Sequence, residues 1–92
     1  MSGTNTATGE LTIGNELGLH ARAAAMVVRT VSRFTSEVRL ARGSTVADAR
    51  SVLELLTLAA VKGCRVEVTA RGPDAAEALA ALERLVARDF AE

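Results

Sequence analysis

The residues able to do chemistry gather in one stretch, Gly18-Leu19-His20-Ala21-Arg22-Ala23-Ala24-Ala25. His20 is the only histidine in the chain, and Arg22 follows two residues later, where an alanine-rich helical stretch begins. A histidine at the mouth of a helix lies beside backbone N–H groups that have no intrahelical acceptor, and beside the positive end of the helix dipole. That setting suits an anion, and phosphate above all. The guanidinium of Arg22 adds a planar cationic donor within the same turn. A nucleophilic imidazole next to a phosphate-binding helix terminus is the chemistry of a phosphohistidine. A lone histidine near an arginine is also what an ordinary surface or capping residue looks like, so the elements around it must be read before the motif carries weight.

The pattern on either side supplies those elements. Glu10-Leu11-Thr12-Ile13 alternates polar and apolar residues and reads as a strand, with Leu11 and Ile13 inward. The loop Gly14–Gly18 then delivers His20. From Ala21 to about Arg33 the period is helical, with Ala24, Val27, Val28 and Val31 on one face. Val38 and Leu40 mark a second strand, and Thr45-Val46-Ala47 a short third one returning after the turn Arg42-Gly43-Ser44. Ser51 is a natural N-cap for an apolar helix that runs to a glycine stop at Gly63, with Glu54 completing a capping box. This helix is too apolar to bury every side chain, so part of Val52, Leu53 and Leu56 is expected at the surface. Arg65–Arg71 is the clearest strand, with Val66, Val68 and Ala70 inward. Asp74 and Glu77 then predict a second capping box for a last helix, whose Leu79, Leu82, Val86 and Phe90 recur at helical spacing. The order β-α-β-β-α-β-α predicts an α+β fold: an open-faced sandwich of a four-stranded, mainly antiparallel sheet with three helices on one face. Residues 1–7 are small and polar and are expected to form a flexible tail before a single domain over 8–92.

Composition narrows the function. The 92 residues suffice for one small domain, and 49% are hydrophobic, so a core can form without disulfide staples. Cys64 is the only cysteine and reads as a buried or half-buried thiol, not a redox centre. One histidine and one cysteine make no metal cluster, and no metal or organic cofactor is expected. Eleven basic residues balance 11 acidic ones, and two phenylalanines without Trp or Tyr offer no platform for stacked bases, which argues against nucleic acid. No apolar run is long enough to span a membrane, and the polar start Ser2–Thr6 does not resemble a signal peptide. A cytoplasmic protein without membrane insertion is the expectation.

These residues resemble a known family. Gly18-Leu19-His20-Ala21-Arg22, Arg33–Val38, Ala49-Arg50-Ser51-Val52-Leu53 and the turns Lys62-Gly63 and Arg71-Gly72 are similar, in order, to stretches of HPr. HPr is the histidine-containing phosphocarrier of the bacterial phosphoenolpyruvate-dependent phosphotransferase system, which also has a nitrogen-branch paralogue. The resemblance spans about residues 8–92. It implies a carrier and not a self-sufficient enzyme. Enzyme I would charge His20 on Nδ1, and phospho-His20 would donate to an EIIA-type domain. Arg22 and the backbone N–H groups of Ala21 and Ala23 would hold the phosphate. Most members carry proline where this chain has Ala23, which leaves a less rigid first turn and one more N–H.

The resemblance also implies that Ser51 matches a serine phosphorylated in some members by HPr kinase/phosphorylase, and that Val52, Leu53 and Leu56 form the partner-docking surface. Carrier logic favours a monomer. A regulatory binding module using Ser51 and its apolar neighbours, without turnover at His20, needs the same fold and stays open. The choice between sugar and nitrogen branches is also left open by these residues.

Overall fold

Alternating apolar residues set one face of the sheet, and the computed structural model, which describes residues 5–91, shows how the strands join. The elements are β1 (Asn5–Thr12), α1 (Ala21–Val31), β2 (Glu37–Arg42), β3 (Thr45–Asp48), α2 (Val52–Leu56), β4 (Arg65–Gly72) and α3 (Ala75–Ala87). The sheet order is β1-β4-β2-β3, and every neighbouring pair is antiparallel. The register stacks one apolar row across the inner face. Leu11 lies opposite Val66, Val68 opposite Leu40, Ala70 opposite Val38, and Leu40 opposite Ala47. All of these are buried beneath the helices. The other face carries exposed Thr8, Glu10, Glu37, Arg39 and Glu67, as expected for an antiparallel sheet solvated on one side.

β1 begins at Asn5, earlier than its side chains suggest. Asn5, Thr6 and Ala7, expected in the tail, pair with Gly72, Arg71 and Ala70. The ladder to β4 satisfies their backbone groups whatever the side chains are. The rest of the expected tail, residues 1–4, lies outside the described residues.

α1 ends at Val31, two residues before the sequence pattern fades. It packs against both α2 and α3, so its buried stripe is wider than the apolar period alone shows and includes Ala23 and Thr30. The carbonyls left at its end meet Arg50, whose guanidinium donates to the carbonyls of Val31 (3.1 Å), Phe34 (2.7 Å) and Ser36 (3.0 Å).

α2 is the main departure from the sequence reading. It stops after five residues, at Leu56, and does not run on to Gly63. Ala59 adopts a left-handed conformation (φ 49°), which ends the helical path. The carbonyls freed there find partners: Arg42 donates to Leu58 and Ala59 at 3.0 and 2.8 Å, and the N–H of Leu19 donates to Ala60 at 2.8 Å. Tertiary hydrogen bonds thus outcompete continuation of the helix.

Both predicted capping boxes are modified. Ser51 Oγ accepts the Glu54 N–H (3.1 Å), but the Glu54 carboxylate accepts from Asp48 N–H (2.9 Å) instead of Ser51. Asp74 is the N-cap residue of α3, yet its side chain makes no cap bond. Its carboxylate reaches across to the residues just before β2, accepting from Thr35 N–H and Ser36 N–H, each at 2.9 Å, and from the Ser36 hydroxyl. In return Ser36 Oγ accepts the Asp74 N–H at 3.2 Å. These bonds, the hydroxyl of Ser36 first among them, hold the Asp74 carboxyl below its usual pKa.

Candidate functional site

His20 is the N-cap of α1. Its backbone is extended (φ −86°, ψ −179°), its carbonyl accepts the first intrahelical bond from Ala24 N–H at 2.8 Å, and its Nδ1 accepts the N–H of Arg22 at 3.3 Å. The imidazole nitrogen therefore occupies the place that a serine or aspartate oxygen takes at an ordinary N-cap. A nitrogen that accepts this N–H bears a lone pair there, so Nε2 carries the proton in the neutral ring. Nδ1 thus sits at the positive end of α1, among N–H groups of its first turn.

The approach to His20 is fixed by backbone contacts. Gly18 is left-handed (φ 68°), and a β-carbon there would lie 2.5 Å from the Ala60 carbonyl oxygen and 2.9 Å from the Val61 Cα. Only glycine permits both the turn and this close approach. The Asn15 side-chain amide donates to Gly18 O (2.8 Å), and Gly18 N–H returns to Asn15 O (3.1 Å). Leu19 is buried, so the segment is anchored immediately before the histidine. Lys62 forms an exposed ion pair with Glu16 between the same two loops, a minor contribution at most.

The predicted site residues fall into two groups. His20 is half-buried, Ala21 and Arg22 are exposed, and Ala23 is buried; all belong to the first turn of α1 or its cap. Ser51 caps α2. Val52 is half-buried against the core, whereas Leu53 is 79% exposed and Leu56 is 37% exposed. Beyond α2, Ala60 and Val61 abut Gly18 in the loop that carries His20. Two large hydrophobes that were not singled out from the sequence are exposed at this junction: Leu17 (75% exposed) and Val61 (60% exposed). Leu17 could have been found as a large hydrophobe within the loop before His20, whereas Val61 was hidden by the reading that carried the second helix on to Gly63. The N–H of Arg22, as distinct from its side chain, was also missed; cap geometry follows from backbone angles and not from composition. Among the described residues no group of three or more His, Cys, Asp or Glu could hold a metal ion, and no helix is long and apolar enough to cross a membrane.

An open-faced α+β sandwich whose first helix opens on a histidine cap is the architecture of a histidine phosphocarrier domain. The comparisons agree. The family model for the PTS HPr component phosphorylation site matches residues 7–88. The chain is 41% identical over 83 residues to a phosphocarrier protein HPr of Cupriavidus necator, covering 90% of this chain and 93% of that protein. It is 42% identical over 81 residues to a phosphocarrier protein NPr of Klebsiella oxytoca, covering 87% and 90%. Its structure resembles a crystal structure of HPr from Thermoanaerobacter tengcongensis with a TM-score of 0.88 at 34% identity, covering 94% of this chain and 97% of that one. The chain belongs to the HPr family, the phosphocarriers of the phosphotransferase system.

Proposed function

We propose that His20 Nδ1 accepts a phosphoryl group from phosphorylated enzyme I and passes it to an EIIA-type domain. The observation that supports this most is the placement of Nδ1 as the cap acceptor of α1, with its lone pair directed at the Arg22 N–H. On transfer the N–P bond of the donor breaks as the Nδ1–P bond forms, and the proton stays on Nε2. The Arg22 N–H, deprived of its acceptor, turns to a phosphoryl oxygen. The first-turn N–H groups of Ala21 and Ala23 and the Arg22 guanidinium are the further donors. No step requires a metal or an organic cofactor.

The protein partners dock on the exposed apolar residues Leu17, Leu53, Leu56 and Val61, of which Leu17 and Val61 lie at the loop before His20. Regulation at Ser51 is the subordinate part of the reading. Phosphorylation there by an HPr kinase/phosphorylase would set about two negative charges at the edge of this surface and oppose docking. The reaction is tested by incubating the protein with phosphoenolpyruvate and enzyme I. An acid-labile, base-stable adduct is expected on the native chain and none on His20→Ala. Equal labelling of that variant would remove His20 from the reaction.

A further inference from the structure

α3 closes with a double hydrogen bond: Asp89 N–H donates to Val86 O and Phe90 N–H to Leu85 O, both at 2.9 Å. This closure needs a left-handed residue immediately past the helix cap, where glycine is the residue without strain. Here that residue is Asp89 (φ 54°), followed by a second left-handed residue, Phe90 (φ 62°). Aspartate visits this region more easily than most residues, but less easily than glycine. Phe90 is only 8% exposed, so its ring anchors the turn in the core and fixes Asp89 in place.

The turn faces the reacting histidine. Asp89 and Phe90 form one side of the cleft whose other side is Leu17, His20, Arg22 and Ala23. One carboxylate oxygen of Asp89 stands 3.1 Å from where a β-carbon on Gly14 would lie, so the side chain is directed at the loop that delivers His20. Asp89 makes no side-chain hydrogen bond or ion pair among the described residues. A strained backbone position filled by a charged residue without local partners, at the rim of a reacting group, points to function.

We infer that Asp89 limits how tightly the His20 site holds a phosphoryl group. This rests on the carrier reading of His20. The helix terminus and Arg22 attract the phosphoryl charge, and a carrier held only by attraction would be a poor donor. The Asp89 carboxylate repels the same charge across the cleft, raising the phosphorylated state relative to the free one and making the group easier to pass on.

The test is an exchange equilibrium. Phosphorylated native protein is mixed with the Asp89→Asn variant and a catalytic amount of the phosphohistidine donor enzyme proposed above. Each transfer breaks one N–P bond and forms another, so the equilibrium reads only the difference between the two carriers. The phosphoryl group should favour the variant by roughly threefold to tenfold at low salt, the range for one charge across a solvated cleft. The preference should shrink towards unity at high salt, which a purely structural role would not produce. Asp89→Gly should give the same exchange constant while gaining stability from relief of strain. An exchange constant of one for Asp89→Asn, or a shift seen only with glycine, would overturn the inference. If the native protein takes no phosphoryl from the donor, the carrier reading itself fails. Inorganic phosphate, followed by the amide shifts of Arg22 and Ala23, then decides on Asp89 alone: tighter binding to Asp89→Asn upholds the repulsion, and equal affinity removes it.

Discussion

The backbone N–H of Arg22 donates to Nδ1 of His20 across 3.3 Å, a hydrogen bond at the long end of the normal range. A bond this long is readily exchanged for a stronger one to an anionic oxygen. The resting site therefore has a donor aimed at the nitrogen that would carry phosphate, and little is lost when that nitrogen surrenders its lone pair.

Phosphorylation of His20 should accordingly shift the Arg22 amide resonance more than those of Ala21 and Ala23. Arg22→Ala keeps that N–H and removes only the guanidinium. It should leave stability within about 1 kcal/mol, as for an exposed position, yet slow transfer by roughly tenfold to a hundredfold, the worth of one charge-assisted bond. Chemical shifts with and without phosphate, thermal melts and transfer rates measure all three. A variant that unfolds but transfers normally in its folded fraction would assign Arg22 to the fold.

Ala23 occupies the third helical position, where the N–H has no intrahelical acceptor, and it lines the cleft of His20. Ala23→Pro should therefore fold and gain up to about 1 kcal/mol from a restricted unfolded chain. Should the Ala23 N–H hold a phosphoryl oxygen, the same variant will carry phosphate less stably while melting no lower. The hydrolysis rate of its phosphohistidine, set beside its melting temperature, separates the two effects.

Leu53 is 79% exposed next to the core residue Leu55. Leu53→Glu should cost less than about 0.5 kcal/mol of stability, as surface changes do, and weaken enzyme I binding at least tenfold, because a charge at a dry contact is expensive to desolvate. Ser51→Asp should act in the same direction more weakly, since aspartate still caps α2 and carries less charge than phosphate. Titration of labelled protein with enzyme I measures both. Undiminished affinity of folded Leu53→Glu would move the partner surface elsewhere.

Asp74 gives a prediction in pH. Its carboxyl is held below the ordinary value of 3.8, chiefly by the Ser36 hydroxyl and then by the Thr35 N–H. A depressed folded pKa contributes stability that is fully present above the unfolded value and is lost as pH falls through the folded one. Asp74→Asn should thus be less stable than the native protein at neutral pH, and the gap should narrow below 3.8. Denaturant unfolding across that window measures the gap; one that stays constant to the acid end would deny Asp74 its ionised role.

Much of this protein was legible before its fold was known. The seven elements came in the right order, the inward residues Leu11, Val38, Leu40, Val66, Val68 and Ala70 are all buried, and His20 was placed at a helix mouth. Such features repeat with a period of two or about 3.6 residues, or lie within one turn, and so are written in neighbouring side chains.

Tertiary structure decided the rest, because those outcomes depend on backbone groups far apart in the chain. Asn5–Ala7 became strand through pairing with β4, a bond that side-chain composition does not encode. α2 stopped at Leu56 because a left-handed Ala59 presents carbonyls to Arg42 and lets Ala60 meet Leu19. Asp74 left its helix to bind an N–H 39 residues away. Asp89 came to line the same cleft as His20 only because α3 packs against α1 and Phe90 is locked into the core. In each case a buried or strained backbone group had to find a partner or a seat, and which group was near enough was settled by how the helices lie on the sheet.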